Sequence, residues 1–167
     1  MRRAAPLPAD AGPQFRRIGP ADRARVSGPG LRAFRAIADA WGLTERQRLA
    51  LLGEPARSTY HQWMRKAQAG ETLSLPLDTL LRISAVLGVR KALAILFSDP
   101  AQGLAWLQGP HRGTVFQGAA PLEFMVEGAQ DGILTVRRYL DAWRGGHPGQ
   151  GGAGGFAPVA EDDLVWA

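Results

Sequence analysis

Residues 43–69, LTERQRLALLGEPARSTYHQWMRKAQA, decide how the rest of the chain is read. Thr44 and Gln47 have the spacing of a capping box, which satisfies free backbone donors at a helix start. Leu49 and Leu52 give that helix an apolar edge, and Gly53 follows, the residue that best accepts the left-handed conformation ending a helix. Pro55 biases Glu54 away from helix, so the stretch divides into two helices around Gly53-Glu54-Pro55. On the second, from about Arg57 to Ala67, Tyr60, Trp63, Met64 and Ala67 share one side at helical spacing, and the Trp63 ring is read as core, not as a DNA contact. Ser58, His61, Gln62 and Arg65 share the other, flanked by Arg57, Thr59 and Lys66. A helix-turn-helix of this kind can lay its second helix in the major groove of DNA. Arg and Lys suit guanine or phosphate, Gln suits adenine, and short hydroxyls suit either. These seven residues are the candidate DNA contacts. A merely solvated polar face is the other reading of the same pattern.

Outward from that stretch, residues 1–28 are rich in Ala, Pro and Arg and lack periodicity, so a disordered basic arm is expected. A helix is expected from about Gly30 to Trp41, with Leu31, Phe34, Ile37, Ala38 and Trp41 on its core side. After a loop at 70–74, Leu77, Leu80, Leu81, Ser84 and Leu87 again have helical spacing, and Gly88 is read as the stop. A short helix from Val89 to Phe97 completes five helices and a DNA-binding domain at 29–97.

Beyond it, Asp99 can cap and Pro100 can open a helix to Leu107. His111 to Ala120 reads as a loop anchored by Val115 and Phe116. Pro121 opens another helix, ended by Gly128. A last one, Asp131 to Trp143, aligns Ile133, Val136, Leu140 and Trp143. No strand alternation occurs, so the fold is expected to be all-α, with a second small helical domain at 98–144. Residues 145–155 hold seven glycines in eleven positions, the composition of a flexible linker. The tail 156–167 sets Phe156, Val159, Leu164 and Trp166 around Asp162 and Asp163. Tethered aromatic anchors suit docking into a partner.

Charge divides along the same line. Residues 1–70 carry 13 Lys and Arg against 5 Asp and Glu, whereas 71–167 carry 7 against 10. The helix-turn-helix lies in the basic half, as a phosphate-binding module would. The chain has no cysteine, which excludes disulfides and thiol nucleophiles and fits a reducing cytoplasm. No apolar run is long enough to cross a bilayer, and no apolar core follows Met-Arg-Arg, so no secretory leader is expected. His61, His111 and His147 are scattered without metal-ligand spacing, and no phosphate loop or nucleophile motif is present. Neither catalysis nor a cofactor or metal is expected.

The segments LSLPLDTLLRISAVLGVRKALAILF (73–97) and WLQGPHRGTVFQGAAPLEFMVEGAQDGILTVRRYLDAWRGG (106–146) resemble the Xre/MbcA/ParS antitoxins. Trp106-Leu107, Phe116-Gln117-Gly118, Pro121-Leu122-Glu123, Gly128 and the helix Val136–Trp143 carry the resemblance. The family's loop usually has Asn after Pro and two Gly after Phe, where this chain has His111 and Gln117-Gly118. The resemblance implies a type II antitoxin that blocks a RES-type toxin, an enzyme consuming NAD or transferring ADP-ribose from it. It also implies a homodimer, many relatives that repress their own operon, and a C-terminal region reaching the toxin active site. A plain helix-turn-helix regulator, whose second domain dimerises or senses a ligand, is the alternative.

Overall fold

Thr44 and Gln47 close the capping box that their spacing predicts. The Thr44 N–H donates to Gln47 Oε1 at 2.9 Å, and the Gln47 N–H donates to Thr44 Oγ1 at 3.3 Å. The computed structural model describes residues 19–145, and these form an all-α fold without β-strands. In chain order the helices are α1 (Pro20–Ala40), α2 (Glu45–Leu51), α3 (Arg57–Ala69), α4 (Leu77–Leu96), α5 (Pro100–Gln108), α6 (Pro121–Glu127) and α7 (Ala129–Arg144). Residues 1–18 and the tail from 146 onward, with Phe156, Val159, Asp162, Asp163, Leu164 and Trp166, lie outside the described residues.

Two helix boundaries differ from the sequence reading. α1 begins at Pro20, not near Gly30, so residues 20–28 are helical. Pro20 suits the first helical position, where its missing N–H is no loss, and Asp22 suits the positive end of the helix dipole. The first half of α1 buries Ser27 and Gly28 instead of large apolar side chains, so it leaves no periodic signal. Ser27 Oγ donates to the Arg23 carbonyl at 2.6 Å and accepts the Leu75 N–H at 2.9 Å, tying α1 to the segment entering α4.

The second correction is at Gly88, which does not stop a helix: α4 passes straight through it. Four helices, not five, therefore span residues 20–96. Gly88 permits proximity. A Cβ there would come within 2.8 Å of the Arg137 guanidinium carbon of α7. At Gly30 a Cβ would stand 3.7 Å from Ile83 Cγ2, so α1 also lies close along α4. α4 is thus packed by α1 and by α7.

One continuous core results. Phe34 from α1, Leu51 from α2, Val86 from α4, Leu107 from α5, Met125 from α6 and Leu140 from α7 belong to the same buried cluster. Each fully buried side chain of this size contributes about 1.5–3 kcal/mol relative to exposure. Within it, Trp106 is ringed by Phe97, His111, Phe116, Tyr139 and Trp143, with the Tyr139 ring stacked at 5.9 Å.

The α6–α7 corner depends on Gly132, where any Cβ would overlap the Phe124 carbonyl oxygen. Backbone cannot step aside as a side-chain tip can. Gly132→Ala should therefore destabilise the protein by about 1–3 kcal/mol, visible as a lowered midpoint in a circular-dichroism melt. Gly113→Ala, where nothing lies within 4 Å, is the matched control and should melt like the parent.

Candidate functional site

The α2–α3 turn is built from two left-handed residues, Gly53 at φ 90° and Glu54 at φ 56°. The Glu54 N–H donates back to the Leu49 carbonyl at 2.8 Å, which fixes where α3 begins. From there α3 is held along one edge. Tyr60, Met64 and Ala67 are buried, and Arg32 of α1 donates from Nη1 to the Ala67 carbonyl at 2.8 Å. Arg48 of α2 donates to the Leu43 carbonyl and pairs with Asp39 of α1 at 2.8 Å, so α2 is tied to the end of α1.

The opposite edge of α3 faces solvent. Arg57, Ser58, His61, Gln62 and Arg65 are exposed, and Thr59 and Lys66 are half-buried at its margins. Trp63, expected in the core, is also half-buried and packs on the core's border. All seven candidate DNA contacts therefore sit on or beside one helix surface. Arg35, Arg48 and Gln68 join His61 and Arg65 around a shallow cleft beside it. Those three gave no local signal, because they converge only when α1, α2 and α3 pack.

The residue that sequence reasoning missed here is Glu45, at the start of α2. Arg57 donates to it from both Nε and Nη2, the latter at 3.0 Å, and His61 Nε2 lies 3.2 Å from the same carboxylate. The hydrogen-bonded Arg57 guanidinium holds the Glu45 carboxyl below its ordinary value; partial desolvation opposes this, and His61 adds to the lowering. A depressed carboxyl stabilises the folded state above its ordinary pKa and loses that contribution as pH falls through the folded value. Arg57→Ala should accordingly move the Glu45 titration back up in a carboxyl-detected NMR series. An unmoved midpoint would show that the pair is not formed in solution.

In the C-terminal half, the loop before α6 is closed by the His111 N–H on the Ala119 carbonyl (3.2 Å) and the Gly118 N–H on the His111 carbonyl (2.7 Å). His111 lies in this loop, as the sequence predicts, and is buried: it is 1% exposed and its Nε2 donates to the Trp106 carbonyl at 2.7 Å. Phe116 anchors the loop beneath it, as the sequence predicts.

Two family models match in tandem: the antitoxin Xre-like helix-turn-helix domain over residues 20–88 and the antitoxin Xre/MbcA/ParS C-terminal toxin-binding domain over residues 92–146. The chain belongs to the Xre/MbcA/ParS antitoxin family. The first antitoxin match begins where α1 begins, and the two meet inside α4. Both matched domains are those of binding and regulatory proteins. The antitoxin is also 43% identical over 125 residues to the uncharacterized protein y4oB of Sinorhizobium fredii, covering 75% of this chain and 91% of the relative. No solved structure matches it. Among the described residues, no helix is long and apolar enough to cross a membrane.

Proposed function

We propose that this antitoxin neutralises a RES-type, NAD-consuming toxin and, as a cytoplasmic homodimer, represses its own operon by docking α3 in operator DNA. The observation that carries the DNA half is the α3 surface, where a pinned helix turns Arg57, Ser58, His61, Gln62 and Arg65 outward together. Supporting the toxin half is the match of residues 92–146 to a toxin-binding domain. A dimer would offer two such helices to half-sites about 34–36 Å apart.

In this reading residues 98–144 hold the toxin, and the tail delivers Phe156, Val159, Asp162, Asp163, Leu164 and Trp166 toward its active site. Neither role needs a cofactor. An acidic, apolar-tipped segment on a Gly-rich tether suits a cleft shaped for NAD phosphates, and the tether raises its local concentration.

For DNA, replacing Arg65 and Lys66 with Ala should flatten the log–log salt dependence of operator binding by about one per lost phosphate contact. Gln62→Ala should instead blur sequence preference while leaving the salt slope alone. Unchanged mobility shifts in every variant would remove α3 from the interface.

For the toxin, NAD consumption by the purified partner enzyme is titrated with full-length chain and with a chain ending at residue 155. Full-length protein should abolish turnover near stoichiometric addition. The shortened one should bind yet inhibit less. Equal inhibition by both would confine neutralisation to residues 98–144. No inhibition by either would overturn the assignment of the partner.

A further inference from the structure

We propose that Glu45 is a positioning residue that sets sequence discrimination at the α3 surface, holding Arg57 side-on so that its remaining donors meet a base edge in place of a phosphate. This rests on the reading that α3 enters the major groove.

Arg57 is the first residue of α3, and its side chain is 74% exposed. Left alone, a long and mobile cation at that place would follow the phosphate backbone of any sequence. Glu45 prevents this by geometry. Its two carboxylate oxygens take Nε and Nη2 of Arg57, the parallel fork that fixes a guanidinium's plane. Of the five N–H donors of arginine, the two on Nη1 and the second on Nη2 are left over. Those form the end-on fork that pairs with O6 and N7 of guanine. One turn along α3, His61 meets the same carboxylate, so two groups of the DNA-facing edge are referenced to one anchor. The anchor is itself fixed, because Glu45 opens a helix whose first turn is locked by the Thr44–Gln47 box.

Charge supports the same role. A carboxylate on a surface that approaches a polyanion costs affinity for every sequence equally. It is a poor choice for holding DNA and a sound one for refusing the wrong DNA. Arg65, by contrast, makes no ion pair with another described residue, and so is free to serve phosphate.

The test uses the full-length protein, its Glu45→Gln variant and an Arg57→Lys variant. Each selects from a pool of random duplexes. Affinities are then measured across salt concentration on the parent's selected duplex and on a scrambled one. Glu45→Gln should lose the preference at one base pair and cut the ratio of selected to scrambled affinity by about tenfold. Most of that change should come from tighter binding to the scrambled duplex, with a salt slope steeper by about one as Arg57 turns to phosphate. Arg57→Lys keeps the charge but not the fork, and should lose the same position. An unchanged preference and ratio in Glu45→Gln would overturn the proposal while leaving α3 as the DNA-reading helix. Equal loss on both duplexes with a lowered melting point would do so too, by making Glu45 merely structural. A parent that selects no sequence would overturn the DNA reading itself.

Discussion

Everything in this antitoxin hangs on α4 being packed by two partners. α1 lies along it near Ile83 and α7 crosses at Gly88, where a β-carbon would meet the Arg137 guanidinium. Neither neighbour could bury its apolar stripe alone. A helix–helix pair of this length leaves too much of its hydrophobic surface in water, whereas a shared central helix lets both stripes join one core. The consequence is mechanical: the helix-turn-helix half and the half matching a toxin-binding domain grow from a single close-packed interior, which transmits strain.

The two halves use that core differently. In the N-terminal part, packing serves mainly to orient. α3 is fastened along Tyr60, Met64 and Ala67, and on its outward side Glu45 of α2 ion-pairs with Arg57 and contacts His61. Exposed pairs of this sort add little to stability, so their value lies in direction. In the C-terminal part the packing is itself the design. Trp106 gathers Phe97, Phe116, Tyr139 and Trp143 about one ring system, and His111 fastens the intervening loop to the Trp106 carbonyl. His111 is therefore built into the interior.

Much of this was legible from residue order. The capping box, the Gly53 turn, the polar edge of α3 and the Phe116 anchor each follow from local rules that tertiary packing did not override. What escaped the sequence had nonlocal causes. The start of α1 was hidden because small residues, Ser27 and Gly28, do its packing. Gly88 reads as a stop because nothing local shows that α4 continues through it, against Arg137 of α7, 49 positions away in the chain. Glu45 carried no signal, since its partners Arg57 and His61 come near only across a turn. A helical stripe puts Trp63 on the core side but does not say how far the core extends, and Trp63 lies half-buried at its border.

On the proposed reading, one protein carries two separate interfaces on one core. Hydrogen–deuterium exchange of the full-length chain, alone, with a RES-type toxin and with its selected duplex, examines both at once. The toxin should slow exchange within residues 98–144 and in the tail, and the duplex should slow it along residues 57–66. Protection by toxin confined to residues 57–66, or by duplex confined to 98–144, would contradict that division.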